Sequence, residues 1–240
     1  MFASVADPLL SLVYPQECRV CQKNVEKCSD GAACGACWDA TRIFSGSEML
    51  CAKCGAYFGE KAAPVEVFCR KCDEHFYDRA FALGIYEKAL AASIISLKNS
   101  PYLPNRISKL IRNCPADLAN IDLIIPIPLS KTRRLERGFN QAEIPAWALA
   151  SVSKTPVDTY SLERHLYTHI HRMGMDQKAR ELSVRNAFSV TRRNLIRAKN
   201  ILLVDDVLTS GATASACAKA LKKSGASRVI VFTLARAVMH

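Results

Sequence analysis

No apolar stretch in the chain approaches the roughly 20 residues that a membrane-spanning helix needs, so no helical span is expected. The Gly-x-x-x-x-Gly-Lys-Ser/Thr signature is missing as well, which argues against a P-loop nucleotidase. Met1 to Pro15 has no basic n-region and carries Asp7, so a secretory leader is not expected and the thiols should stay reduced in a cytoplasmic protein. Acidic residues are scarce beside basic ones, 22 against 33, for a formal charge of +11. Between Cys18 and Cys72 large apolar side chains are few. A segment that short and that poor in them cannot build much of a core unaided.

Cysteine fills that gap. Eight of the eleven cysteines fall into Cys-x-x-Cys pairs, Cys18 with Cys21, Cys34 with Cys37, Cys51 with Cys54 and Cys69 with Cys72. Each pair is a knuckle offering two thiolates, so the eight make two tetrahedral four-cysteine zinc sites. Disulfides are the competing reading, and the lack of a leader disfavours them. Sequential and interleaved pairing both fit this spacing. A closed site of four thiolates leaves no coordination position for water, so these zincs are read as structural, supplying stabilisation the small core lacks. Cys28 falls between pairs as a spare thiol, and Cys114 and Cys217 are expected to pack as small hydrophobes.

Residues 201–213 read Ile-Leu-Leu-Val-Asp-Asp-Val-Leu-Thr-Ser-Gly-Ala-Thr. Ile201 to Val204 is short and uniformly apolar, as a central strand of a parallel sheet covered on both faces would be. From Ala212 to Ser224 alanines recur at helical density, with Gly225 as the stop. A strand-loop-helix unit places its loop at the carboxyl edge of the sheet, where open α/β folds bind ligands. There Thr209, Ser210 and Thr213 offer hydroxyls, Gly211 lets the backbone approach closely, and the helix N–H groups beginning at Ala212 complete a phosphate cradle. Asp205 and Asp206 would repel phosphate; they suit sugar hydroxyls or a Mg²⁺ that touches the phosphates, and strand alternation gives them unequal roles. A ribose phosphate satisfies both halves.

A second apolar strand, Ile121 to Ile127, is interrupted by Pro126 and Pro128 and runs into a basic turn over 129–141. Lys131, Arg133, Arg134 and Arg137 stand there against Glu136 alone, at what should again be a carboxyl edge. Such a turn suits pyrophosphate, with arginine offering bidentate geometry.

Taken together, Pro-Ile-Pro-Leu-Ser-Lys-Thr-Arg and Arg-Gly-Phe-Asn-Gln resemble the ComF family (ComFC/GntX-like), phosphoribosyltransferase homologues associated with natural competence. The 201–213 segment resembles the phosphoribosyl pyrophosphate (PRPP) motif of type I phosphoribosyltransferases. The resemblance implies an α/β fold, a type I phosphoribosyltransferase-like parallel sheet with flanking helices and a hood, preceded by a small double zinc ribbon with sequential pairing. It implies that Leu129, Ser130, Lys131 and Arg133 belong to the pyrophosphate loop, and that Tyr86 and Lys98 match the family's Tyr and Leu-Lys positions, with Lys98 reaching a phosphate. The hood would span Ser161 to Val190. Here the chain departs from the family pattern, with His171 in place of Gln and Ser183 in place of Asn, beside Thr168, Gly174-Met175, Arg180 and Ala187-Phe188. His165, His169 and His171 are read as exposed loop histidines.

The expected organisation is an N-terminal helix over 1–17, the ribbon over 18–75 and the transferase-type domain over 76–240, with a strand from Ala80 to Tyr86 opening the last. Phe2 to Tyr14 would pack as a short helix. Zinc sites of four ionised cysteines contribute −4 + 2 each, so +11 becomes about +7. That balance favours polyanions, and single-stranded DNA is a candidate partner, with Phe139 and Tyr167 as candidate stacking aromatics. A helicase of the uptake machinery is implied by the resemblance alone. The first functional reading is a phosphoribosyltransferase using Mg-PRPP with Asp205 and Asp206 as catalytic carboxylates and an open acceptor. The alternative is a non-catalytic PRPP or nucleotide sensor that binds single-stranded DNA.

Overall fold

A computed structural model describes residues 14–61, 64–114, 120–165 and 187–238. In chain order its labelled elements are α1 (Gly35–Asp39), β1 (Met49–Leu50), β2 (Tyr57–Gly59), β3 (Arg79–Ala82), α2 (Lys88–Leu97), α3 (Asn105–Arg112) and β4 (Leu123–Pro126). They continue with α4 (Lys131–Arg137), α5 (Glu143–Ser153), β5 (Leu162–Arg164), β6 (Phe188–Val190), α6 (Arg193–Ile196), β7 (Asn200–Leu208), α7 (Ala212–Lys223) and β8 (Arg228–Arg236).

The central sheet runs β3-β8-β7-β4. All three pairings are parallel. Residues 156–158 extend along the outer edge of β4, where Ile124 N–H donates to Pro156 O and Asp158 N–H to Ile124 O, both at 2.9 Å. Uninterrupted Ile, Leu and Val are what a strand covered on both faces requires.

Alternation divides that apolar content into two layers. Leu202, Val204, Ile230, Phe232 and Leu234 pack with α2, α3 and α5, and the same cluster takes in Cys18, Cys34, Cys37 and Trp38 of the first knuckles. On the opposite face Ile201, Leu203, Val229 and Val231 meet α7, the β5–β6 hairpin, Tyr77 and Cys51, Cys54 and Cys72 of the second knuckles. Each half of the ribbon therefore closes one layer of the larger core. Fully burying one Leu, Ile or Phe stabilises by about 1.5–3 kcal/mol, so the ribbon is continuous with the core that the transferase-type sheet needs.

Several expected boundaries move. β7 extends four residues past Val204 to Leu208, carrying both aspartates inside the strand, because β8 continues the ladder alongside it to Leu208↔Arg236. β3 ends at Ala82 rather than Tyr86. At Gly84 the chain leaves for the ribbon residue Ile43, so closely that a Cβ on Gly84 would sit 2.4 Å from Arg42 O, and Ile85 then returns to Arg236. β4 covers Leu123–Pro126 instead of Ile121 to Ile127. The basic turn is not wholly a loop: Lys131–Arg137 forms α4, with Ser130 as N-cap and Gly138 closing it at φ 76°. Lys, Arg, Leu and Glu are good helix formers between such caps.

The Phe2 to Tyr14 helix lies outside the described residues except for Tyr14, as do Thr168, His169, His171, Arg180, Ser183 and most of the hood. No disulfide links any of the eleven cysteines. Among the described residues no helix is long and apolar enough to cross a membrane.

Candidate functional site

Parallel pairing decides the geometry of the site. Pro126 sits opposite Val204 in the β4–β7 register, so both strands deliver their following turns to one rim of the sheet. Ile127 N–H donates to Val204 O at 2.8 Å, and directly beyond come 128–130 on one strand and Asp205–Asp206 on the other. The acidic pair, the hydroxyl-bearing turn 209–213 and the residues Leu129 and Ser130 are thereby neighbours on that rim. Lys131 and Arg133 project from α4 and are exposed, while Leu129 and Ser130 are half-buried.

The two aspartates separate as alternation requires. Asp206 faces the α5 side, where its carboxylate accepts from Gln141 Nε2 at 3.3 Å, and Gln141 Oε1 in turn accepts from Arg137 Nη1 at 2.7 Å. Asp205 faces the α7 side. Burial, then the adjoining Asp206 carboxylate, push its carboxyl well above the usual range, opposed by the Arg164 guanidinium from β5. The rim thus combines one carboxylate wired to a basic helix with one that is expensive to ionise unless a cation or hydroxyl meets it.

At the turn itself, β7 ends at Leu208 and α7 begins at Ala212, with Gly211 as N-cap in the left-handed region at φ 80°. Ser210 Oγ accepts from Ala212 N–H at 3.3 Å, and Ser215 N–H reaches Gly211 O at 2.8 Å. Thr209 and Ser210 are exposed and Thr213 is half-buried, so their hydroxyls are available at the helix N-terminus.

Three rim residues were missed by reading the sequence alone. Asn140, 3% exposed, donates from Nδ2 to Ile127 O at 3.0 Å and accepts Ala142 N–H at 3.2 Å, which fixes the end of β4 to the start of α5. Gln141 supplies the link to Asp206 described above. Arg236 ends β8 with 6% exposure, and its Nη1 donates to Leu208 O at 2.7 Å and to Thr209 O. The sequence signal for Arg236 is a cation closing an apolar strand; Asn140 and Gln141 stand in the Arg-Gly-Phe-Asn-Gln motif, two and three residues past the helix stop Gly138, but only their contacts give them a role.

Tyr86 N–H bonds Arg236 O beside this rim, and Lys98 is the C-cap of the ten-residue α2, which advances about 15 Å.

The cysteines assemble as two groups, Cys18, Cys21, Cys34 and Cys37, and Cys51, Cys54, Cys69 and Cys72, each with its sulfurs within 4.8 Å of one another. The pairing is sequential, not interleaved. Cross-knuckle Sγ separations are 3.7 Å for Cys18–Cys37, 3.6 Å for Cys21–Cys34, 3.5 Å for Cys54–Cys69 and 2.9 Å for Cys51–Cys72. A tetrahedral ion with Zn–S bonds of about 2.3 Å sets its sulfurs about 3.8 Å apart, which the first group approaches; the second is drawn in around Cys72 and opens by up to about 1 Å to take the same ion. Burial resists ionisation at Cys18 and Cys51, yet hydrogen bonds aimed at their sulfurs, chiefly from backbone N–H groups, bring each thiol down to about 6, while Cys34, Cys37, Cys54 and Cys72 are pushed up by burial and by the neighbouring sulfurs. Without a cation one thiolate per site is favoured and the rest resist ionisation; a bound cation removes that resistance. All four sulfur positions are used, which makes both sites structural.

Comparison with known proteins agrees with this architecture. Residues 9–76 match a double zinc ribbon domain and residues 139–238 a phosphoribosyl transferase domain. Competence protein F of Haemophilus influenzae is 27% identical over 232 residues, 92% of this chain and 96% of that protein. Competence protein ComFC of Bacillus subtilis is 36% identical over 115 residues, 48% of this chain and 44% of its own length. Among solved structures, the purine phosphoribosyltransferase of Pyrococcus horikoshii aligns with 55% of this chain and 80% of its own at 15% identity and a TM-score of 0.34. Fold and metal sites define a class, a phosphoribosyltransferase-type α/β sheet carrying a double zinc ribbon. Within that class the chain is similar along nearly its whole length to competence protein F and over about half of it to ComFC.

Proposed function

We propose that the chain binds Mg-PRPP across the rim between β4 and β7 and serves DNA uptake in natural competence. The observation that carries this is the shared carboxyl rim: the 209–213 turn and the 129–133 segment flank Asp205 and Asp206. In this reading the N–H groups and hydroxyls of Thr209, Ser210, Gly211, Ala212 and Thr213 take the 5′-phosphate. Leu129, Ser130, Lys131 and Arg133 take the pyrophosphate, where the cations neutralise charge that grows as it leaves. Asp205 and Asp206 take the ribose hydroxyls and, as hard oxygen donors, suit Mg²⁺. Asp206 is held for this by Gln141, and the raised Asp205 loses its penalty when a cation arrives.

A ribosyl transfer at this site breaks the C1–pyrophosphate bond and forms a bond from C1 to a nitrogen nucleophile of the acceptor. The protein's part is positioning and electrostatic; among the described residues no side chain on the rim is placed to select one base over another. The ribbon at 18–75 and the domain from 76 onward are the units of this reading. Zinc-bound thiolates suit a reducing compartment, which supports the cytoplasm. A net charge of about +7 with both zincs bound supports single-stranded DNA as a partner, and the similarity to competence proteins supports a partner in the uptake machinery such as a helicase.

Calorimetry with PRPP and Mg²⁺ tests the pocket. Wild type should bind, and Asp205→Ala/Asp206→Ala should lose at least tenfold in affinity, about 1.4 kcal/mol. Undiminished binding by the double variant rules the assignment out. Pyrophosphate release against a panel of bases then tests turnover.

A further inference from the structure

The two zinc sites are not equivalent in what they touch. Three residues after Cys72, the chain passes His75, Phe76 and Tyr77 directly beneath the phosphate turn. A Cβ on Gly211 would lie 2.8 Å from Tyr77 Oη and 3.0 Å from His75 Cε1, so these two rings occupy the space below the N-cap of α7. The rings stack on each other at 4.8 Å with 21° between planes. Phe76 N–H donates to Ser215 Oγ at 3.1 Å, which ties the ribbon's exit to the first turn of α7. Lys219 Nζ, one turn further on, lies 5.0 Å from the Phe76 ring centroid.

The rest of the contact is equally direct. Tyr77 is 1% exposed. Arg236 holds the other side of the turn through Leu208 O and Thr209 O, and it shares a cavity of about 330 Å³ with Ser210, His75 and the zinc ligands Cys54 and Cys69. Asp78 locks the following residues to β8, its carboxylate accepting Val229 N–H at 2.7 Å. The first site faces elsewhere. Its neighbours are Asp30 with Arg106 of α3, Gly31 against Pro104, and Thr41 Oγ1 accepting Ala89 N–H of α2. Among the described residues none of these reaches 205–213.

We propose that the second four-cysteine site sets the conformation of the phosphate turn through His75, Phe76 and Tyr77, so that ligand binding at 209–213 depends on that metal and not on the first. The contact pairs residues far apart in sequence, and three residues of chain leave little slack between Cys72 and the ring that supports Gly211. If the second metal is lost, the knuckle releases this support and the turn loosens. His75, Phe76 and Tyr77 are positioning residues for a cradle whose ligand, PRPP, rests on the function proposed above.

The test uses the full chain with Cys69→Ser for the second site and Cys21→Ser for the first, zinc content being measured on each. Backbone hydrogen exchange over 205–215 is followed without ligand, then PRPP affinity with Mg²⁺. Cys69→Ser should speed exchange in the turn by at least tenfold and weaken binding by as much; Cys21→Ser should leave both within about twofold of wild type. Equal loosening by both, or none by Cys69→Ser, overturns the proposal. If Cys69→Ser fails to fold, Ser215→Ala replaces it, since it keeps both metals and removes only the acceptor for Phe76 N–H. It should speed exchange at 211–215 about fivefold, the loss of one hydrogen bond, and unchanged exchange there overturns the idea. Exchange in the ligand-free protein reads the coupling even if wild type ignores PRPP, so the two readings fail separately.

Discussion

Single residues on the rim carry opposing demands. Asp205 has a raised carboxyl, so folding favours its protonated form. Its contribution to stability is complete below the ordinary unfolded value, near 3.9, and is lost as pH rises through the folded value. Ionised at neutral pH without a cation, it opposes folding. Asp205→Asn should therefore raise the ligand-free melting temperature by about 2–6 °C at pH 8, with the gain over wild type shrinking as pH falls toward the ordinary carboxylate range, while Mg-PRPP affinity drops at least tenfold. Parallel melts of the two proteins across that range check it; a gain independent of pH would place the cause elsewhere. Gly211 is limited differently. With φ 80° and Tyr77 Oη 2.8 Å from the position of a Cβ, Gly211→Ala suffers both backbone strain and a clash, costing about 1–3 kcal/mol. Differential scanning fluorimetry should show a fall of about 2–10 °C.

Elements show how far sequence carried the reading and where local pattern gives out. The strand at 201–204 and the helix from Ala212 were legible because uniform apolarity and alanine density are local signals. The Cys-x-x-Cys spacing exposed both metal groups for the same reason, though only the assembled sulfurs choose sequential pairing. β7 outran its apolar run because its last residues are held by the β8 ladder, a pairing that no property of Asp205 or Asp206 announces. α4 forms where four cations in seven residues suggest a loop shaped for ligand contacts, because Lys, Arg, Leu and Glu between the Ser130 and Gly138 caps are good helix formers. Asn140 shows the same blindness to assembly, as it joins β4 to α5 by bonds to Ile127 O and Ala142 N. Asn140→Ala leaves both groups buried without partners and should cost about 2 kcal/mol, read as a lower denaturant midpoint at unchanged slope. It should also weaken Mg-PRPP binding, since Gln141 is its neighbour in sequence and Asp206 loses its orientation with it.

For the molecule as a whole, the ribbon is part of the core rather than an appendage. Its first knuckles finish the layer containing α2, α3 and α5, and its second knuckles finish the layer containing α7. A zinc site built from four cysteines is worth folding free energy because its ligands gather only in the folded chain. Removing both ions leaves two sets of buried thiols with no bridging cation and frees the ribbon to lift from both faces. The melting of the sheet must then change along with that of the ribbon. Calorimetric scans of metal-loaded and chelator-treated protein should show one cooperative transition with zinc and, without it, a transition at least about 10 °C lower, several kcal/mol at this size. Far-UV circular dichroism should lose strand and helix signal together at the lower temperature. If the ribbon were independent, chelation would remove a small early transition and leave the main one in place. The loaded protein should contain two zincs per chain, one for each cysteine group, and a single zinc would show that one group closes its layer without metal.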